Sequence, residues 1–223
     1  MLFVVPCRYD PERPVIYECI EGIQRWHPDA RIVVIDSDSD DRSYMDWCAD
    51  RGCAVADIHN TGYATAAWAW AVRNYPDEPF YALMFDSLIL QGNVDHLEDA
   101  PVTAIRPWSN RDHDWGWDAN GDHLSIWGNK QLHRMGIEFP SEYHGMMGPI
   151  MFVQRHVVEE LDEIGFWDTV VPSVYEHCAV ERVAGICLEA LGYDVTQSLQ
   201  GVHTSHWAEY DETLVHKEDL CRP

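Results

Sequence analysis

Lysine is nearly absent from this sequence. Lys130 and Lys217 are the only two lysines, and arginine supplies every other strongly basic side chain. Asp and Glu together number 38 against 15 Lys and Arg, so the formal net charge is −23. Such a surface repels polyanions at long range, which argues against a free-standing binder of duplex DNA or of anionic membranes. It still permits a small anionic ligand that is held by local hydrogen-bond donors.

Long apolar runs and paired cysteines are missing as well. No apolar run approaches the roughly 20 residues that a membrane-spanning helix needs. The chain enters a predicted strand at once, without a basic lead or a cleavage-site pattern, so we expect no signal peptide. The seven cysteines are an odd number and include no Cys-x-x-Cys pair, which favours neither a disulfide framework nor a zinc cluster. Together these features predict a cytoplasmic protein.

A dinucleotide-binding motif is also lacking. In a nicotinamide-dependent oxidoreductase, Gly-x-Gly-x-x-Gly directly follows the first strand, because its glycines let the backbone approach the pyrophosphate. Pro6-Cys7-Arg8-Tyr9 occupies that place here. The sequence therefore disfavours an oxidoreductase of this class.

The chain does contain a regular alternation of short apolar segments and amphipathic segments. Strands are predicted at 2–6, 31–36, 54–58, 80–90, 149–153 and 193–196, and helices at 13–26, 43–51, 62–74, 155–164 and 176–191. This order predicts an α/β fold with a mostly parallel sheet flanked by helices. We interpret residues 1–223 as one domain with a first half at 1–106 and a second half at 107–223.

One carboxylate, Asp86, lies inside the apolar run Phe80–Leu90. Burying a carboxylate is costly unless it meets a cation or hydrogen-bond donors. Ligands of open α/β sheets bind outside the carboxyl ends of the strands, where Arg8, Asp36 and Asp38 are also predicted. We therefore predict a ligand site at this edge. The alternative for Asp86 alone is a residue that merely turns the chain.

Residues 108–123 are rich in Trp, Asp, Asn, Gly and His and show little periodicity. Loops of this length are uncommon in compact domains unless they are functional, so we predict a long functional loop or lid. Trp108, Trp115 and Trp117 are candidates to stack on sugar or base faces, although core packing is the commoner use of tryptophan.

Taken in chain order, the segments of the first half resemble the GT-A fold glycosyltransferases that use nucleotide sugars, close to their family-2-like group. Residues 34–38 are similar to the strand whose terminal Asp contacts the uracil or ribose of the donor, and Asn60-x-Gly62-x-Ala64 to a helix start that packs by the nucleotide. Residues 84–87 fall where the family has its metal-binding Asp-x-Asp motif. The donor-binding residues that the resemblance implies are Pro6, Arg8, Asp36, Asp38, Asn60, Gly62, Asp86 and Ser87.

The resemblance continues in the second half. The segment 145–148 is similar to the glycine-containing acceptor segment of the family, and Glu181-Arg182-x-x-Gly185 to the helix that supplies the catalytic base. The resemblance thus implies Glu181 as the base, and the alternative is a salt bridge from Glu181 to a neighbouring arginine. His203 or His206 lies where many members carry a C-terminal metal-binding histidine.

Two departures from the family pattern bear on the metal and the base. Leu88 stands at the second position of Asp-x-Asp if Asp86 is the first, and Met84 stands at the first position if Asp86 is the last. Arg182 replaces the acidic neighbour of the base. The implied cofactor is Mn²⁺ or Mg²⁺, which Asp86 would hold together with His203 or His206 while diphosphate and water fill the other coordination positions.

The resulting hypothesis is a glycosyltransferase of the hexosyl- or pentosyltransferase class. It would move a sugar from a nucleotide-sugar donor, with a UDP-sugar favoured, to a hydroxyl acceptor by metal-assisted displacement. Two alternatives stay open: transfer to hydroxymethylated bases of viral DNA, and a non-catalytic module that binds nucleotides or sugars. Arg106, at the boundary of the halves, and Arg111 and Arg134 form the only loose grouping of cations toward the second half, so we expect weak and salt-dependent affinity for duplex DNA.

Overall fold

The computed structural model of the chain describes residues 1–105, 107–111 and 121–196, with the backbone alone for 121–125. The strands in this part of the chain are β1 (Leu2–Cys7), β2 (Arg31–Asp36), β3 (Ala54–Asp57), β4 (Phe80–Leu83), β5 (Val102–Ala104), β6 (Pro107–Ser109), β7 (His144–Met146) and β8 (Met151–Gln154). The α-helices are α1 (Val15–Trp26), α2 (Ser43–Asp50), α3 (Tyr63–Asn74), α4 (Gly121–Arg134), α5 (Arg155–Glu163) and α6 (Val174–Ala190). Short 3₁₀ helices lie at Asp95–Asp99 and Phe166–Asp168.

The main sheet has six strands in the order β3-β2-β1-β4-β8-β5. The first four are parallel, and β8 runs antiparallel to both β4 and β5. Every residue of β1 and β4 is buried, as expected for strands of a parallel sheet covered on both faces. The predicted α/β fold with a mostly parallel sheet is confirmed. No helix within the described ranges is long and apolar enough to cross a membrane.

The strand that leads to Asp86 is shorter than predicted. It ends at Leu83 rather than at Leu90, although the Met84 N–H still donates to the Val4 carbonyl at 3.1 Å. Asp86 and Ser87 then form a turn, in which the Leu88 N–H donates to the Phe85 carbonyl at 3.1 Å. Asp86 therefore lies just beyond the carboxyl end of a central strand.

Two other predictions of secondary structure were wrong. Residues 193–196 form no strand, because the Asp194 carboxylate accepts hydrogen bonds from the backbone N–H and the hydroxyl of Thr196, at 2.8 and 2.5 Å, and bends the chain. Helix α4 was not predicted at all. Its polar composition and Gly128 interrupt the apolar stripe by which a helix is recognised in a sequence.

Helix α6 packs directly on the backbone of β7, and a glycine makes this approach possible. A Cβ atom at Gly185 would overlap the carbonyl oxygen of His144, so only glycine fits there. A Cβ atom at Gly145 of β7 would overlap the Trp108 ring of β6 just as closely. The two glycines therefore allow the close contacts that β7 makes with α6 and with this indole ring.

We predict that Gly185→Ala lowers the free energy of unfolding by about 1–3 kcal/mol, because backbone atoms must move to admit the methyl group. Gly22→Ala is the matched control, since it also lies inside a helix but its Cβ would meet its nearest neighbours at 3.3 Å. Denaturant unfolding of both variants measures the difference. Equal stability of the two variants would contradict the close approach of α6 to β7.

Candidate active site

A cavity of about 490 Å³ opens at the carboxyl edge of the sheet, where β1, β2 and β4 end. Six of the eight predicted donor-binding residues line it, namely Pro6, Arg8, Asp38, Asn60, Asp86 and Ser87. They come from four separate segments of the sequence and meet because parallel strands end at a common edge. The structure thus brings most of the predicted donor site together.

The loops after β1 and β2 are hydrogen-bonded to each other at the floor of this cavity. The Ser37 N–H donates to the Cys7 carbonyl, and the Tyr9 N–H donates to the Ser39 hydroxyl, both at 2.8 Å. The ring of Tyr9 stacks on that of Tyr44 with centroids 4.9 Å apart. These contacts fix the strand ends that carry Arg8 and Asp38.

Asp86 is half-buried at the cavity wall, and the buried thiol of Cys7 lies close to it. Burial, followed by the nearby Asp86 carboxylate, raises the pKa of Cys7, so that the thiol stays protonated. A protonated thiol adds no second negative charge beside the carboxylate. Asp86 lines the cavity.

Asp36 and Asp38 have different environments although they are close in sequence. Asp36 is completely buried, and its carboxylate accepts hydrogen bonds from the Tyr44 hydroxyl at 2.8 Å and the Ser39 N–H at 3.2 Å. Asp36 does not line the cavity, and its hydrogen bonds support the end of β2 from the buried side. Asp38 is exposed at the cavity with φ 60°, a left-handed conformation that Asp tolerates better than most residues.

Asn60 ties the β2 loop to the start of α3. Its side-chain amide donates to the Ser37 hydroxyl at 2.9 Å and to the Tyr63 carbonyl at 2.8 Å, while its Oδ1 accepts the Gly62 N–H at 2.9 Å. Gly62 does not line the cavity. A Cβ atom at Gly62 would come within 2.6 Å of Ala66 Cβ, so this glycine serves the tight entry into α3.

The cavity carries charges of both signs. Two exposed guanidinium groups, those of Arg8 and Arg13, face it together with the carboxylates of Asp10, Asp38 and Asp86. This combination suits a ligand that brings both anionic oxygens and a cation. A phosphate-bearing molecule with a divalent metal ion is such a ligand.

The predicted metal ligands are only partly within the described residues. Asp86 faces the cavity, whereas His203 and His206 lie outside the described residues. Within the described ranges no cluster of three or more His, Cys, Asp or Glu side chains is arranged to hold a metal ion. One carboxylate still fits a Mg²⁺ or Mn²⁺ that takes most of its other ligands from substrate phosphates and water.

Glu181, the predicted base, lies on α6 and supports a turn next to the cavity. Its carboxylate accepts the Gly148 N–H at 2.8 Å, and Gly148 has φ 67°. A Cβ atom at Gly148 would lie 2.6 Å from the Phe85 ring, and Phe85 lines the cavity. Glu181 is therefore separated from the cavity by one layer, formed by the turn 147–149 and Phe85.

Arg182 and Trp108 interact with each other. The Arg182 guanidinium lies over the Trp108 ring, 4.9 Å from its centre, and donates to the Cys178 carbonyl at 3.3 Å. Trp115 and Trp117, the other predicted stacking residues, lie outside the described residues.

Arg13, Tyr63 and His177 are among the cavity residues that sequence reasoning missed. The His177 ring stacks on that of Tyr63, with centroids 5.3 Å apart and an interplanar angle of 14°. His177 lies one helical turn before Glu181 on α6. That spacing places the two side chains on one face of the helix and was visible in the sequence.

Comparison with solved structures identifies the fold. Neither a protein-family model nor a curated protein matches this chain. Among solved structures, S. aureus TarS 1-349 has a TM-score of 0.52 at 12% identity, over 91% of this chain and 59% of that chain. Mannosyltransferase PcManGT from Pyrobaculum calidifontis, in complex with GDP-Man and Mn²⁺, has a TM-score of 0.53 at 14% identity, over 91% and 55%.

The fold is the GT-A fold. The chain spans less than two thirds of the length of either similar structure. The fold that the sequence resemblance implied is thereby confirmed, and in this GT-A fold the cavity lies at the carboxyl edge of the parallel strands.

The contrast between Asp36 and Asp38 gives a testable prediction. We expect Asp36→Asn to lower the free energy of unfolding by about 1–3 kcal/mol, because an amide nitrogen would face the donors that the buried carboxylate accepts. We expect Asp38→Asn to unfold like the wild type but to bind UDP or GDP about 10-fold more weakly. Denaturant unfolding and calorimetric titration of both variants measure this, and the reverse pattern would contradict the assignment.

Proposed function

We propose that this protein is a glycosyltransferase that uses a nucleotide-sugar donor. The observation that carries the proposal is the cavity at the carboxyl edge of a GT-A sheet, where Asp86, Arg8 and Asp38 converge from three strand ends. PcManGT, which shares this fold, holds GDP-Man and Mn²⁺. A UDP-sugar is the first donor to test, because residues 34–38 resemble a strand that contacts uracil or ribose.

Asp86 is the proposed metal-binding residue, with His203 or His206 as its partner. Bound Mn²⁺ or Mg²⁺ would supply Lewis-acid stabilisation of the leaving diphosphate. The chain itself contributes the Asp86 carboxylate and the positive charges of Arg8 and Arg13 at the same cavity. Asp38 and Ser37 line the β2 end of the cavity, where we place the nucleoside.

Glu181 is the proposed base for the acceptor hydroxyl. Its carboxylate lies at the turn 147–149, beside the segment that resembles the acceptor region of the family. The acceptor would then approach from the side of β7 and α6. A general base is effective when it lies within hydrogen-bond reach of the proton that it removes, directly or through one water.

A panel of nucleotide sugars tests the class of function. A glycosyltransferase should hydrolyse its own donor slowly when no acceptor is present, and the protein should select one donor from the panel. A non-catalytic nucleotide- or sugar-binding module would bind a donor without any hydrolysis. Absence of binding to every nucleotide sugar would contradict the proposed function itself.

For Asp86 we expect that Asp86→Asn abolishes transfer and donor hydrolysis while the fold is retained, because the amide keeps the volume but loses the charge. Removal of divalent metal with EDTA should have the same effect, and added Mn²⁺ or Mg²⁺ should restore activity. Asp50→Asn, at the exposed end of α2, is the matched control. Transfer at the wild-type rate in the Asp86 variant, or full activity in excess EDTA, would contradict the metal site.

For Glu181 we expect Glu181→Gln to reduce turnover by about 10²–10⁴-fold with unchanged donor affinity. The Gln side chain can still accept the Gly148 N–H, so the turn is kept and only proton acceptance is lost. Glu181→Ala removes both. An active Gln variant beside an inactive Ala variant would mean that Glu181 positions the turn and is not the base.

We propose a neutral hydroxyl acceptor, such as a glycan, a protein side chain or a small molecule. Of the three arginines Arg106, Arg111 and Arg134, Arg111 is paired with Glu142, and Arg134 donates to the Gly165 carbonyl at 3.0 Å and the Thr169 hydroxyl at 3.2 Å. Arg106 lies outside the described residues. Two of the three arginines therefore form contacts within the protein itself.

An assay of transfer to hydroxymethylated DNA, compared with transfer to a glycan panel, tests this acceptor class. At about 0.15 M salt, where exposed charges are screened as in cells, we expect labelling of neutral hydroxyl acceptors and none of the DNA. Efficient labelling of the DNA alone would overturn the proposal and favour the DNA-modifying alternative.

A further inference from the structure

His177 lines the cavity and lies against Phe85, the residue before Asp86, although it belongs to no motif that the sequence resemblance brought forward. It is carried by α6, whereas Asp86 and Ser87 follow β4. The helix thus adds an imidazole to a site that is otherwise built from strand ends and the start of α3.

Aromatic rings on two sides hold the imidazole. Tyr63 stacks on it at 5.3 Å, and Phe85 lies against it at 6.0 Å with an interplanar angle of 53°. Tyr63 is itself held in an uncommon backbone conformation, with φ 58°, by the hydrogen bond from the Asn60 side chain to its carbonyl. A ring fixed in this way is a preorganised hydrogen-bond donor, because little freedom is lost when a ligand binds.

The charges that face the cavity around His177 favour an anionic oxygen as its partner. Arg8 and Arg13 are the cationic donors at the same cavity, and a neutral or protonated imidazole carries at least one N–H. In the proposed donor site the nucleoside lies near Ser37 and Asp38, and the diphosphate lies near Asp86. His177 lies against Phe85, the residue directly before Asp86.

We propose that His177 contacts the diphosphate of the donor and donates a hydrogen bond to an oxygen of its sugar-bearing phosphate. The proposal rests on the function proposed above. During transfer, the acceptor oxygen bonds to the anomeric carbon and loses its proton to the base. The bond from that carbon to the phosphate oxygen breaks, and its electron pair stays on the phosphate. A hydrogen-bond donor fixed beside that oxygen stabilises it more strongly as its negative charge grows.

The test compares UDP with UMP, which lacks the second phosphate, by calorimetric titration. GDP and GMP replace them if the donor panel selects guanine. His177→Phe keeps a ring to stack on Tyr63 but has no N–H, and His177→Gln restores an N–H donor. We expect His177→Phe to bind UDP about 10-fold more weakly and UMP as the wild type does, and His177→Gln to recover most of the UDP affinity. His133→Gln, exposed on α4, is the control and should match the wild type.

Several results would overturn the proposal while leaving the proposed function intact. One is that the wild-type protein binds UDP and that His177→Phe binds it with the same affinity. Another is an equal loss for UDP and UMP, which would mean that His177 shapes the cavity without contacting the second phosphate. If His177→Phe does not fold, as judged by its thermal unfolding, His177→Leu tests the same loss of N–H. A wild-type protein that binds neither UDP nor GDP would instead contradict the proposed function.

Discussion

The site depends on the position of β1 between β2 and β4 in a parallel arrangement. Because the three strands point the same way, their carboxyl ends open at one edge, and side chains distant in sequence meet there. The register is set by buried aliphatic residues that have no part in binding. Backbone and side-chain hydrogen bonds between the loops at 7–9 and 37–39 then fix the edge itself. Core packing therefore determines the geometry of the cavity.

The side chain of Asn60 links several elements of this structure. Its amide joins the loop after β2 to the start of α3, and through the Tyr63 carbonyl it orients the ring that packs on His177. The motif Asn-x-Gly-x-Ala thus acts mainly through positioning: Gly62 allows the close entry into the helix and Asn60 holds the turn. A substitution of Asn60 or Gly62 would therefore affect the His177 ring on α6 although no residue of α6 is changed.

The sequence was sufficient for the parts of the fold that repeat a strong pattern. Strand β2 was predicted with its observed bounds, since an apolar run between Arg31 and Asp36 has no other interpretation. The convergence of Arg8, Asp38 and Asp86 at the cavity followed from strand ends alone. The roles of Asp36 and Asp38 could not follow in the same way, because they depend on Tyr44, which α2 carries to the buried side.

Helix α4 and His177 were missed for related reasons. A helix whose stripe is interrupted by polar residues gives no periodic signal, and a histidine inside an apolar helix looks like a core residue until the facing elements are known. The strand predicted at 193–196 failed because a local side-chain turn at Asp194 competes with an extended backbone.

The burial of Cys7 near Asp86 also bears on the chemical reactivity of the cavity. The thiolate is the form of cysteine that reacts with oxidants and alkylating reagents, and burial beside a carboxylate keeps Cys7 in the thiol form. The sulfur atom near the proposed metal-binding carboxylate is therefore held in its less reactive form.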